Sequence, residues 1–199
     1  MHSTFADKPA VVGWTERLEA STRVDSLVRL AQPLVDALLA DPDRADALQG
    51  RWLGHAIHPP LTDVPIGAWT SATILDLVGG RQAQPAAKRL VGVGILAALP
   101  TAVTGWAEWG ATEQRAKRVG VVHAGSNVAA LVLYAASWRA RARGKQLRGV
   151  ALGLGGGLAL GFGGYLGGHL VEARNVSSRH PAFDDDDDGP GSPAGPVAP

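Results

Sequence analysis

Few residues in this 199-residue chain can do chemistry, and most of them lie in apolar surroundings. Ionisable side chains placed inside apolar helices cost at least ~2.5 kcal/mol near the middle of a bilayer, so they face inward and find partners. Helical spacing sorts them into stripes: Thr62, Trp69, Thr73 and Asp76 with Asp63 beside them; Thr101, Thr104 and Glu108; His123, Asn127 and Tyr134; Tyr165, His169 and Glu172. Four of the six histidines, His55, His58, His123 and His169, fall in one layer together with Glu108, whereas Asp76 and Tyr134 belong to the opposite face.

Imidazole ligates zinc, copper and iron, and histidines on two facing helices can grip a b-type haem. The layer therefore points to haem b or a divalent metal, with His58 or His123 paired with His169 as trial ligands. The competing reading is structural, with His58, His123 and His169 hydrogen-bonded to Asn127, Tyr165 or Glu108 as glue between helices. A third, a small proton-coupled carrier using Asp63, His123 and Glu108, is disfavoured by the short chain and the lack of inverted repeats. His55-Ala56-Ile57-His58 is a weak metal signal, because Pro59 is expected to push His58 out of helical geometry. Asp63, near a helix start rich in Pro59, Pro60 and Pro65, suits the positive end of a helix dipole as well as a proton relay.

Several chemistries are excluded. With no Cys, the chain has no disulfide, thiolate zinc site, cysteine nucleophile or self-held iron–sulfur cluster. Gly92-Val93-Gly94-Ile95-Leu96-Ala97 mimics a dinucleotide-binding loop but lies inside an apolar helix with no strand before it. No nucleophile–base–orienter triad, phosphate loop or carboxylate pair stands out, which argues against an enzyme. Lys plus Arg (19) balance Asp plus Glu (18), so no overall charge favours nucleic acid. The run Asp184 to Asp188 lacks the spacing of a calcium cage.

The elements that must position these residues are helices in lipid. Leu90–Ala107, Val119–Trp138 and Gly149–Val171 contain no Asp, Glu, Lys or Arg over 18, 20 and 23 residues. A bilayer core needs ~20 apolar residues per helix, and a soluble bundle would put charges on every outer face. Ile57 to Gly80 is a weaker fourth candidate, interrupted by Asp63 and Asp76. The pattern predicts an all-α integral membrane protein, a four-transmembrane-helix bundle with helices near 58–79, 89–107, 119–138 and 149–171 inside a domain 51–175. Gly149, Gly153, Gly157 and Gly161, then Gly164 and Gly168, form a small-residue row suited to close packing within the bundle.

Before this domain, residues 1–13 are a flexible start without a secretory signal. Residues 14–50 carry an apolar stripe from Trp14 through Leu27, Val28, Leu34 and Val35 to Leu38, which predicts amphipathic helices able to lie on a membrane surface, dock on the bundle or bind a partner helix. Pro33 and Pro42 are expected to open new helical segments, with Asp41 as N-cap and Gly50 as stop. Residues 176–199, Pro/Gly-rich and acidic, read as a disordered tail. Lys and Arg divide eight against seven between the two sides, so charge does not orient the bundle. The long charged N-terminus favours both termini in the cytoplasm of a multi-pass cell-membrane protein.

The stretch Gly54-His55-Ala56-Ile57-His58-Pro59-Pro60-Leu61-Thr62-Asp63-Val64-Pro65-Ile66-Gly67-Ala68-Trp69, followed by Asp76, resembles the bacterial four-helix membrane family known as domain of unknown function 2231. Gly105, His123, Asn127 and the Gly167-Gly168 pair extend the resemblance over about Gln49 to Asn175. It implies an integral membrane protein whose relatives are often fused to, or encoded beside, a Rieske-type iron–sulfur domain. Since this chain has no cysteine–histidine cluster ligands, a Rieske-type protein or other redox subunit would be a separate partner. Lipid is the other expected partner, and a homo-oligomer is compatible with the sequence.

Overall fold

The computed structural model describes residues 8–178 and 180, and all its regular structure there is helical. The acidic run Asp184 to Asp188 lies outside the described residues. Three short helices come first: α1 (Ala10–Ala20), α2 (Asp25–Leu38) and α3 (Pro42–Gln49). Four long ones follow: α4 (His58–Val78), α5 (Gln84–Gly110), α6 (Gln114–Ala142) and α7 (Gln146–Gly168), the last continued by a π-helical turn over His169–Ala173.

Local chemistry accounts for the boundaries in the N-terminal part. Asp41 accepts the Arg44 amide at 2.8 Å and Pro42 sits in the first turn, so α3 starts where its cap requires. It stops at Gly50, whose φ of 73° suits glycine. Pro33 departs from expectation, because it lies inside α2 instead of opening a new helix. Val28 and Val35, on either side of it, are buried against the bundle, and that packing outweighs the missing N–H. His58 likewise opens α4 rather than standing outside it. Pro59 and Pro60 occupy the first turn, where no amide hydrogen is needed.

Arg81–Gly110, Gln114–Ala142 and Gln146–Ala173 are long and apolar enough to cross a membrane. With Asp63, Asp76 and, between them, Thr70, Ser71 and Thr73, α4 is less apolar. The long helices form two antiparallel hairpins, α4 on α5 and α6 on α7, closed into a bundle by α5–α6 and α4–α7 contacts. At the centre Trp69 stacks on Tyr134 (centroids 4.1 Å apart, planes at 10°), surrounded by Ala72, Ala87 and Val91. Outward-facing Leu96, Leu158, Val132 and Leu77 leave an apolar exterior.

The glycine row is used differently from its sequence pattern. A Cβ added at Gly149, Gly156, Gly163 or Gly167 would come within 3.0 Å of Arg141, Tyr134, Asn127 or His123, so these glycines carry the α6–α7 contact. Gly161, Gly164 and Gly168 have no such neighbour within 4 Å.

A second core cluster, Val28, Val35, Trp109 and Val121, docks the N-terminal helices across the α5–α6 turn. Arg118 on α6 pairs with both carboxylate oxygens of Asp25, and Lys117 bonds Gln32.

Candidate functional site

Each long hairpin holds one inward histidine by the same device. His58 on α4 donates its Nδ1–H to the Thr101 carbonyl on α5 at 2.9 Å, and its ring sits where a Cβ on Gly105 would be. On the other hairpin, His123 of α6 donates its Nδ1–H to the Gly163 carbonyl on α7 at 2.8 Å, and its ring lies 3.0 Å from where a Gly167 Cβ would be. In both cases the accepting carbonyl is four residues before the glycine.

The correspondence continues along the helices. Trp69 and Tyr134 follow their histidines by eleven residues, pack onto Gly94 and Gly156 respectively, and stack on one another. Seven residues later, Asp76 and Arg141 form a bidentate ion pair at 2.5 and 2.7 Å, with side chains only 6% and 1% exposed. Residues 58, 69 and 76 of α4 thus map onto 123, 134 and 141 of α6, and 94, 101 and 105 of α5 onto 156, 163 and 167 of α7. A side chain that touches its own counterpart lies on the axis relating the halves. The four-helix unit is therefore two quasi-equivalent hairpins in the same orientation. Its sequence signal is His-x10-aromatic-x6-charged in one helix and Gly-x10-Gly in the next, which an inverted-repeat search does not detect.

Between the halves is a largely apolar cavity of about 670 Å³. Its polar lining includes His58, His123, Asn127, Glu108, Asp63 and Glu172, and its aromatic lining Trp69, Trp106 and Trp109. His58 and His123 thus meet at one cavity. His169 is placed elsewhere, since its Nε2 lies 2.7 Å from Glu19 Oε1 and it does not line the cavity, so the expected pairing of His169 with His58 or His123 does not form. The free ring nitrogens also differ. His123 Nε2 accepts from Asn127 Nδ2 at 3.0 Å, whereas His58 uses only Nδ1, with Thr104 Oγ1 nearby at 3.4 Å.

The remaining polar residues divide by location. Glu108 is buried at one end of the cavity; its Oε2 accepts the Ser178 amide at 2.8 Å, and Oε1 has no partner among the described residues. Asp63 is on the exposed rim, and His55 turns to the Ala56 carbonyl. Asp76 belongs to the ion pair with Arg141 at the opposite end of the bundle. Tyr165, 39% exposed, faces outward instead of joining a network with His169. Sequence reasoning missed Arg141 and also Glu19, which is 3% exposed and takes both Arg174 and His169. Burial alone would raise the Glu19 carboxyl, but the hydrogen bonds from Arg174 and His169 outweigh it and hold the group below the usual range. Asp25, held chiefly by the Arg118 guanidinium, is also pulled down.

The family described as predicted membrane protein, DUF2231, matches residues 54–179, which include all four long helices. The chain belongs to this family. DUF2231 membership and the three apolar helices make it a membrane protein of helical-bundle type in contact with lipid. No curated protein and no solved structure matches the chain. The DUF2231 match begins at Gly54, just before the first cavity histidine, and leaves α1–α3 outside it.

Proposed function

We propose that this DUF2231 protein is a membrane redox subunit that holds a b-type haem between His58 and His123. One observation carries the reading: two quasi-equivalent histidines wall the same apolar cavity, each with Nδ1–H fixed by a backbone carbonyl. A metal-bound imidazole is oriented by such a bond, which leaves Nε2 as the ligating nitrogen. Gly105 and Gly167 clear the space in which the rings sit. Among the described residues no three His, Asp or Glu side chains cluster to hold a bare ion, whereas His58 and His123 are two donors that would hold a b-type haem. A haem there supplies a one-electron couple. The chain's own contribution is to orient two imidazoles, exclude water with Trp69, Trp106 and Trp109, and release His123 Nε2 from Asn127.

In this reading α4 is the fourth spanning helix, because Ile74, Leu77 and Val78 present an exposed apolar face on it. Both ends of the four-helix unit then lie on one side of the cell membrane, which we assign to the cytoplasm. The resemblance to Rieske-associated relatives makes an iron–sulfur protein the proposed electron partner on the side of His58 and His123.

The test is an absorption spectrum with metal analysis of protein purified in detergent from haem-replete cells. The proposal expects a Soret band and about one iron per chain. A colourless, iron-free protein sinks it and favours a second reading supported by the Asn127–His123 bond, a non-catalytic scaffold whose buried polar residues fix the helices.

A further inference from the structure

Helix α2 divides its circumference into three sectors. Val28 and Val35, with Val24 just before the helix, face the bundle and pack with Trp109, Val121 and Val122. Ser26, Arg29 and Asp36 form an exposed polar sector. Leu27, Leu30 and Leu34 make a third, and they are 50, 73 and 76% exposed. At about 100° per residue these leucines fall within roughly 60° of one another and about 100° from the docked valines.

A helix docked in water needs only the first two sectors. The third requires an apolar medium beside the bundle, so from this placement we infer that α2 is an interfacial helix whose Leu27–Leu30–Leu34 stripe is immersed in lipid at the membrane boundary. Its depth fits: α2 crosses the α5–α6 turn, bonding Gln114 and Arg118 at the start of α6 and packing on Val121. Val121 is seven residues, about 10 Å, into α6, which is the depth to which amphipathic helices sink. The stripe continues the apolar exterior of a protein already in lipid. Exposed Trp52 and Leu53, in the turn before α4, add interfacial anchors between the docked N-terminal helices and the bundle. A second copy is a poorer occupant, since three leucines cover far less than the ~1,200 Å² of a stable interface. The consequence is a depth marker: α2 places the Glu108 end of the cavity near the headgroups.

The absence of cysteine makes the test direct. Single nitroxide labels at Leu30→Cys, Leu34→Cys, Arg29→Cys and Asp36→Cys, all at exposed positions, are read in the full chain reconstituted into phosphatidylethanolamine–phosphatidylglycerol vesicles. At 30 and 34, oxygen accessibility should exceed that of a water-soluble nickel complex, with the order reversed at 29 and 36. Nickel dominance at 30 and 34 would place the stripe in water. Shielding of those sites from both reagents would mean that a protein covers them. Either result overturns the inference.

Discussion

Asp76 and Arg141 are a pair for which either partner alone is worse than neither. Both are buried and bonded through two parallel N–H···O contacts, so removing one leaves an uncompensated charge in an apolar bundle. Asp76→Ala should cost about 3–5 kcal/mol of unfolding stability in detergent, while Asp76→Leu with Arg141→Leu should recover most of it. Additive losses in that double-mutant cycle would remove the pair from the account. The Glu19 cluster makes a pH prediction. Because the folded carboxyl is held below its ordinary value of 4.5, its contribution is complete above that pH and is lost as pH falls through the lower, folded value. Amide protection factors in residues 10–38, taken relative to the intrinsic exchange rate at each pH, should therefore fall below about pH 4.5 in the native chain, with a flatter profile in Glu19→Gln. An identical profile in the two proteins would show that Glu19 does not clasp the N-terminal helices.

At the scale of elements, close approach rather than length decides which helices pair. A Cβ on Gly94 would come within 2.3 Å of Trp69 Nε1, the group that donates to the Val91 carbonyl, so it would push α5 from α4. Gly94→Ala should destabilise by about 1–3 kcal/mol, while Gly161→Ala, with open space around it, should be neutral or stabilising by up to ~1 kcal/mol. Thermal unfolding of the two variants side by side separates packing glycines from incidental ones. The same distinction explains what was legible in sequence. Charge-free runs announced α5, α6 and α7 because lipid forbids charges on their outer faces, and Asp41, Pro42 and Gly50 announced α3 through local bonding alone. The working glycines of α7 were not legible in full, since Gly156 and Gly161 differ only in what the neighbouring helix presents. Pro33 misled for the same reason, because tertiary packing of Val28 and Val35 overrides a local rule.

For the whole molecule, the feature that organises the rest is the repetition of one hairpin. It places His58 opposite His123, sets Trp69 on Tyr134 and Asp76 on Arg141, and leaves a cavity between the halves. The sequence groups the histidines into one layer, and of these His58 and His123 line the cavity. Their pairing was not legible, because Glu19, 150 residues from His169, takes that histidine out of the set. The most direct test of the central claim is the haem content of purified His58→Ala, His123→Ala and His169→Ala proteins, measured as pyridine haemochrome per chain. The account predicts that the first two lose haem while the third keeps the full amount. Haem lost with His169 and retained without His58 or His123 would contradict it.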